Sequence, residues 1–184
     1  MRKNSTRASR LLDSGGLWEL SLKLLGARAC TMGELRAKLR LKAAAAQDVE
    51  TTIARLKSCG YLDDRRFAES FTAARLENQG LGKRRVIQDL RKHRIAPALA
   101  ETTVQKTYET VDEVGLIESY IRRKFHRSGV GALFAHEKDL ASAYRRLLRA
   151  GFGGGNIIRV LKRFAANPDL VDQFEEEPQN EGDG

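Results

Sequence analysis

Two adjacent acidic residues are the first feature of this sequence that could do chemistry. Asp63 and Asp64 follow the turn at Gly60-Tyr61, and neighbouring carboxylates can share a proton or hold a divalent cation. A helix start uses a carboxylate in the same place, because it accepts backbone N–H groups that have no partner in the first turn. No further acidic cluster follows the pair, so we interpret it as a helix start.

The histidines and cysteines, which could act as metal ligands or nucleophiles, are not spaced as they are in metal or catalytic sites. His93, His126 and His136 lie far apart in the sequence and lack the short separations of metal ligands. Cys30 and Cys59 form no CxxC motif, and neither stands beside a histidine that could activate a thiolate. We therefore predict that the chain is not an enzyme and uses no metal and no cofactor.

Two glycine-containing segments are the remaining candidates for chemistry. Residues 80–83 read GLGK and residues 151–155 read GFGGG, but neither matches the GxxxxGK[ST] or GxGxxG patterns. No predicted strand precedes either of them. We expect both to be hinges between helices rather than nucleotide sites.

Positive charge is the strongest functional signal. Between Lys83 and Arg94 six bases oppose one acid, Asp89, and bases seven residues apart share a helix face that points away from Val86 and Leu90. Such a face repels itself unless a polyanion neutralises it, although an ordinary solvated face has the same composition. Bases on this and later helices could together line a discontinuous groove. These bases are Lys83, Arg84, Arg85, Arg91, Lys92, Arg94, Arg122, Arg123, Lys124, Arg127, Arg145, Arg146, Arg149, Arg159, Lys162 and Arg163.

Helices must position these side chains. Apolar residues recur at three- and four-residue spacing and predict nine helices. Thr31 and Glu34 have the spacing of a capping box, and Gly60 is expected to end the third helix. The buried stripe of the fourth helix is predicted to consist of Phe67, Phe71 and Ala74.

The helices group into three similar units. Counted from Leu39, Leu90 and Leu147, the positions 10, 14 and 17 residues further on are mostly apolar, which gives offsets of 51 and 57 between the units. The match is partial, because Ala100 and Thr107 are weak members of the pattern. Each unit is too small to bury its apolar face alone. We therefore predict an all-α fold, an elongated array of three three-helix units at residues 14–61, 62–110 and 111–167.

The composition and charge of the chain indicate disordered ends and a cellular location. The formal net charge is +9 although residues 172–184 carry six acids and no base. We expect a disordered basic segment at 1–13 and a disordered acidic tail at 168–184, which could compete for the basic surface. No apolar run reaches 18 residues, no secretory signal is visible, and cysteine is scarce. These features predict a cytoplasmic protein with no membrane contact.

The stretch from Gly60 to Leu90 resembles a family signature. The RecX family, whose members regulate the bacterial RecA recombinase, has a similar motif and a similar three-unit organisation over about residues 14–166. The matching residues are Gly60-Tyr61-Leu62-Asp63-Asp64, Arg66-Phe67-Ala68, Phe71, Arg75, Gly80, Gly82 and Leu90, with Gly151-Phe152 in the third unit. The sequence departs from the pattern at Gly153 to Gly155, where the last helix should begin.

The resemblance implies a function in DNA repair, homologous recombination and the SOS response. Such proteins bind the groove of the RecA–DNA filament and limit filament extension, ATP hydrolysis and strand exchange. The implied partners are the RecA filament and single- or double-stranded DNA without strong sequence preference, bound by a monomer. Asp63 and Asp64 would mark a unit boundary, and Phe67 and Phe71 would pack between units. Contact candidates implied by the motif are Arg75, Lys83, Arg84 and Arg85.

A second function remains open. An independent helical DNA-binding protein, such as a helix-turn-helix repressor, would also be basic and helical. It would require a recognition helix that reads base edges and, in most cases, a dimer. Sequence-specific binding to duplex DNA in the absence of RecA would favour it.

Overall fold

Most of the described residues lie in helices. The computed structural model describes residues 11–125, 134 and 136–174. Within them the β-type pairing is an isolated bridge between Leu12 and Ala43, so the all-α prediction is confirmed. No helix in these ranges is both long and apolar enough to cross a bilayer. The α-helices are α1 (Ser14–Ala27), α2 (Met32–Arg40), α3 (Ala46–Ser58), α4 (Asp64–Ala74), α5 (Lys83–Lys92), α6 (Pro97–Thr107), α7 (Glu113–Lys124), α8 (Glu137–Arg149) and α9 (Gly154–Phe164).

The first of two compact units contains residues 11–70 and 90–100 of the described chain. Two predicted helix signals are confirmed there. Thr31 Oγ1 accepts a hydrogen bond from Glu34 N (3.1 Å), and the Glu34 carboxylate accepts one from Thr31 N (3.3 Å), which completes a capping box. Gly60 ends α3 with a φ of +76°, a conformation that glycine adopts without strain. The core of this unit consists of Leu17, Leu35, Leu39, Val49, Ile53, Leu56 and Leu62.

The start of α2 and the end of α5 meet inside this first unit. Thr31 Oγ1 donates a hydrogen bond to His93 O (2.5 Å). Gly33 lies so close to Arg94 that a Cβ at position 33 would overlap the Arg94 backbone. Arg94 itself has a φ of +59°, so α5 ends in a left-handed residue.

The second unit, with residues 71–89 and 101–174, contains an equivalent junction between α5 and α8. Gly82 N donates to Ala150 O (2.8 Å), and Gly82 touches the backbone of Gly151. Gly151 has a φ of +90° and stands 57 residues after Arg94, which is the predicted repeat offset. The sequence repeat is therefore matched by a repeated backbone contact, because Arg94 and Gly151 both have a positive φ and both lie against a glycine. The boundaries of the three units stay a prediction.

The core of the second unit is larger and is closed by the 3-10 helix Pro168–Phe174. We expected a disordered tail from residue 168, and the structure differs because this short segment carries apolar side chains. Val171 is fully buried, and the Phe174 ring stacks on Tyr144 with centroids 5.0 Å apart. Residues 1–10 and 175–184, where we also predicted disorder, lie outside the described residues.

The start of the described chain also differs from the prediction of a disordered segment through residue 13. Leu12 N donates to Lys42 O (2.7 Å), and Ala44 N donates to Leu12 O (2.8 Å). Asp13 caps α1 because its side chain accepts a hydrogen bond from Gly16 N (2.9 Å). Local capping and backbone pairing therefore order Leu12 and Asp13.

The buried face of α4 is shifted from the predicted stripe. Ala68 and Thr72 are fully buried, Phe67 and Phe71 are half-buried, and Ala74 is exposed, so the prediction for Ala74 is wrong. After Ala74 the helix widens into a π turn, Arg75–Gln79. The π turn ends at Gly80, whose φ of +54° reverses the chain.

The three consecutive glycines do begin α9, because a carboxylate from α7 caps it. Glu113 Oε1 accepts a hydrogen bond from Gly153 N (3.1 Å), and Glu113 Oε2 accepts one from the Asn156 side chain (2.5 Å). Gly153 is the N-cap residue and has no side chain of its own to do this. The cap is therefore supplied from a distant part of the sequence.

We expect Glu113→Ala to lower the free energy of unfolding by about 1–2 kcal/mol, the cost of losing a helix cap and its two partly buried hydrogen bonds. Urea denaturation followed by circular dichroism measures this. Glu109→Ala is a matched control, since Glu109 is exposed after the end of α6. Equal effects of the two substitutions would contradict the capping role of Glu113.

Candidate functional site

A buried carboxylate organises the basic surface of the second unit. The Asp89 side chain is 8% exposed and lies on α5. Arg85, one turn earlier on the same helix, places Nε 3.2 Å from Asp89 Oδ1. Arg75, from the π turn, places Nε 3.9 Å from Asp89 Oδ2. A buried charge needs such partners, so Asp89 fixes two guanidinium groups beside each other.

Two further contacts hold the Arg75 guanidinium in place. Its central carbon lies 4.7 Å from the centroid of the Phe71 ring, which is a cation–π contact. Its Nη1 donates to Gln79 Oε1 at 2.8 Å, across the π turn. Arg75 is thus preorganised at the surface, which lowers the entropy that a ligand contact would cost.

These arginines line one side of a cleft of about 340 Å³. Arg146 and Arg149, three residues apart on α8, line the same cleft. Arg85 Nη1 also approaches Arg149 O at 3.5 Å. The arginine cleft, as we call it, is lined by Arg75, Gln79, Leu81, Arg85, Asp89, Tyr120, Arg146, Arg149 and Ala150.

The arginine cleft is chemically suited to anions. It gathers four guanidinium groups around one carboxylate, so its formal charge is positive. Guanidinium groups bind phosphate and carboxylate oxygens in bidentate pairs. Arg123 adds a fifth nearby, since its side chain donates to Gln79 O and lies 5.8 Å from the Tyr120 ring centroid.

Lys83 and Arg159, also predicted contacts, line a different cavity of about 390 Å³. Asp112 and Glu113 line it too, so its charge is balanced. Tyr108 closes one side and donates its hydroxyl to Leu81 O (2.6 Å). Burial raises the pKa of Tyr108 to about 12, which keeps this hydroxyl a donor.

Some predicted contact residues are instead paired with acids of the chain. Arg122 and Arg163 both approach Glu118, at 3.7 and 2.7 Å. Lys162 Nζ lies 2.6 Å from Asp172 Oδ1. Their charge is therefore partly neutralised within the second unit. The other predicted contacts are exposed on their helices and do not line the arginine cleft: Arg84, Arg91, Lys92, Lys124 and Arg145.

The motif acids Asp63 and Asp64 cap two different helices. Asp63 Oδ1 accepts from Arg66 N (3.0 Å) at the start of α4, and Asp64 Oδ1 accepts from Met32 N (2.8 Å) at the start of α2. Burial raises the pKa of Asp64 above its usual value even though the Met32 N–H bond opposes the shift. The described residues contain no group of three His, Cys, Asp or Glu side chains placed to hold a metal ion.

The aromatic motif residues contact ring or cationic partners. Tyr61 is 56% exposed and meets the Trp18 ring edge-on at 6.3 Å. Phe67 lies 5.4 Å from His93, and Phe71 lies under Arg75. The role of Phe67 and Phe71 between units stays a prediction. The motif has glycine at position 82 because a Cβ there would overlap the Gly151 backbone.

Sequence reasoning missed Asp89 as a functional organiser, since it counted that residue only as the one acid among six bases. The i,i+4 spacing of Arg85 and Asp89 is a visible signal for an ion pair on one helix face. The Arg75 contact carries no such signal, because it comes from another helix.

Comparison with known proteins gives the family. The chain is 30% identical over 132 residues to the regulatory protein RecX of Trichlorobacter lovleyi, which covers 72% of this chain and 84% of that protein. The chain belongs to the RecX family. A RecX relative from Amycolatopsis mediterranei is 30% identical over 162 residues, 84% of this chain and 88% of the relative.

A family model and a solved RecX structure agree with this membership. Residues 63–104 match the model of the second three-helix domain of RecX, which spans α4 to α6. The crystal structure of RecX from Lactobacillus salivarius has a TM-score of 0.64 and 20% sequence identity, over 83% of this chain and 96% of that one. The match to that structure shows a shared fold, and the family resemblance inferred from the motif at Gly60 is confirmed.

Proposed function

We propose that this chain is a RecA regulator that binds the RecA–DNA filament in its groove. There it limits filament extension, ATP hydrolysis and strand exchange. Membership of a family of regulatory proteins supports the first part of this proposal. The arginine cleft is the observation that carries the second part, because its charge and its bidentate donors suit an anionic surface.

The filament offers two kinds of anion to such a cleft: DNA phosphates and protein carboxylates. Guanidinium groups fixed by Asp89, Phe71 and Gln79 would engage either one with little loss of side-chain entropy. A single cleft of this size supplies a modest affinity. Repeated contacts with adjacent RecA subunits would raise the overall affinity through effective concentration.

Co-sedimentation tests this function directly. RecA filaments assembled on single-stranded DNA are pelleted with the purified chain, and the same DNA without RecA serves as the comparison. We expect the chain to pellet with the filaments at lower concentrations than with DNA alone, and to slow strand exchange at those concentrations. The bound fraction should fall as salt rises, since charged contacts carry the binding.

The alternative function predicts a different result. A helix-turn-helix repressor would bind selected duplexes more tightly than random ones, and RecA would not change that binding. Equal pelleting with and without RecA, together with sequence-specific gel shifts, would overturn the proposed function in favour of the repressor.

A further inference from the structure

Two aromatic rings meet at the surface of the first unit. Trp18 lies on α1 and Tyr61 follows the end of α3, and their rings contact edge-on with centroids 6.3 Å apart and an interplanar angle of 78°. The Trp18 ring is half-buried and packs against the core of the unit. Tyr61, by contrast, is 56% exposed. Much of the Tyr61 ring is therefore aromatic surface that the first unit itself does not use for packing.

The backbone holds Tyr61 in a fixed place. Gly60 N donates a hydrogen bond to Lys57 O (3.0 Å), and Tyr61 N donates one to Leu56 O (2.9 Å). These two bonds form a Schellman motif at the end of α3. The next residue, Leu62, is 2% exposed and belongs to the core. Because the chain is anchored on both sides of Tyr61, a ligand that stacks on the ring loses little affinity to ordering the protein.

Arg55 adds a cation beside the two rings. Its guanidinium carbon lies 4.0 Å from the centroid of the Trp18 ring, which is a cation–π contact. The side chain is exposed, and within the described residues no carboxylate lies at ion-pair distance from it. The indole therefore positions the guanidinium while its N–H groups stay available to an anion.

We propose that Trp18, Arg55 and Tyr61, which we call the aromatic platform, bind an unpaired nucleotide of single-stranded DNA. The base stacks on the Tyr61 ring, and a phosphate of the same strand accepts hydrogen bonds from Arg55. Every base has a π face, so such a site has no strong sequence preference. The aromatic platform belongs to the first unit and the arginine cleft to the second, so this proposal rests neither on the cleft nor on RecA.

The chemistry of the aromatic platform favours a single strand over other anions. An acidic peptide would neutralise Arg55 but would leave the Tyr61 ring without a partner. In duplex DNA the bases are stacked on one another, and a protein ring does not reach their faces unless a base is unstacked. A single strand offers base faces and phosphates together, and stacking on an aromatic side chain is worth about five- to a hundredfold in affinity for each base.

The test separates base stacking from charge. The full-length parent, Tyr61→Ala, Tyr61→Phe and Arg55→Gln are titrated into a labelled thymidine oligonucleotide and into an abasic strand with the same number of phosphates, with anisotropy as the readout. Leu41→Ala is the control, because Leu41 is another apolar residue of the first unit and is 77% exposed. Emission from Trp18, the one tryptophan of the chain, reports occupancy of the aromatic platform itself.

We expect Tyr61→Ala to bind the thymidine strand about tenfold more weakly than the parent, with no change for the abasic strand. This difference should persist at about 0.5 M salt, at which exposed charges are screened. Tyr61→Phe and Leu41→Ala should stay within about twofold of the parent, and Arg55→Gln should weaken both strands. Circular dichroism of each variant checks that the helices are intact.

Three results would overturn the aromatic platform. The first is a Tyr61→Ala chain that binds the thymidine strand as the parent does, or that loses equal affinity for both strands. The second is Trp18 emission that stays unchanged at saturating oligonucleotide. The third is a Tyr61→Ala chain that loses affinity for RecA filaments alone, since the exposed ring would then contact protein. Base-dependent binding by a parent chain that RecA filaments do not bind would support the platform and refute the proposed function.

Discussion

A variant with Arg146→Gln and Arg149→Gln is expected to bind RecA–DNA filaments about a hundredfold more weakly than the parent. Both side chains line the arginine cleft and are exposed. Removing one charge-assisted hydrogen bond weakens binding roughly tenfold, so removing two gives this factor. The salt dependence of binding should also become shallower, by about one unit of log–log slope for each phosphate that the variant no longer neutralises. Filament co-sedimentation over a salt series measures both effects.

The matched control for this variant is Arg122→Gln with Arg163→Gln. It removes the same charge from the same unit, but at residues that pair with Glu118 outside the arginine cleft. We expect its filament affinity to stay within about threefold of the parent, since exposed and partly neutralised charges contribute little. An Arg146/Arg149 variant that inhibits strand exchange as strongly as the parent would show that the cleft is not the contact surface.

The structure also changes which substitutions are informative. Reversing Lys83, Arg84 and Arg85 to glutamate together would be the natural choice from the sequence. Arg85→Glu, however, would place a second carboxylate beside buried Asp89 and destabilise the second unit. A triple variant that fails to inhibit would therefore not distinguish a damaged binding surface from a misfolded unit.

Gly151→Ala is expected to lower the free energy of unfolding by about 3 kcal/mol or more. A Cβ at position 151 would overlap the Arg85 backbone nitrogen, and the φ of +90° disfavours every residue with a Cβ. The surrounding backbone cannot yield easily, because Gly82 N and Arg84 N both donate to the Ala150–Gly151 segment. Urea denaturation followed by circular dichroism measures the decrease.

A neighbouring glycine provides the control. Gly155 lies in the first turn of α9, and a Cβ there would meet nothing within 4 Å. Gly155→Ala should leave the free energy of unfolding unchanged or raise it by up to about 1 kcal/mol, because alanine favours the helix. A Gly151→Ala chain as stable as the Gly155→Ala chain would mean that the α5–α8 junction is not tightly packed.

Structural features that depend on a few neighbouring residues could be predicted from the sequence. The capping box at Thr31 and the C-terminal cap at Gly60 are local patterns, and both are confirmed. The acids at 63 and 64 were correctly interpreted as capping groups, but the sequence could not show that Asp64 caps α2 rather than α4. That contact joins residues 32 positions apart and depends on how the helices pack.

The candidate site could be predicted only in part, for the same reason. Arg146 and Arg149 share a helix face, and the basic face of α5 is visible in the sequence. Their convergence with Arg75 requires the tertiary fold. The α4 stripe was misjudged at Ala74 because the helix departs from α geometry directly after it. The prediction of a disordered acidic tail from residue 168 rests on the average composition of that segment. Average composition does not show that two apolar side chains within it, Val171 and Phe174, pack against the core.

The π turn at Arg75–Gln79 has a consequence for sequence variation within the family. A π turn corresponds to an α-helix that has gained one residue, so a single-residue deletion there restores ordinary helical geometry. Such a deletion would rotate the preceding helix by about 100° relative to the residues that follow, since each α-helical residue turns by that angle. The Arg75 guanidinium would then no longer lie beside the Asp89 carboxylate. Relatives with one residue fewer in this segment should accordingly lack either this arginine or its buried acid.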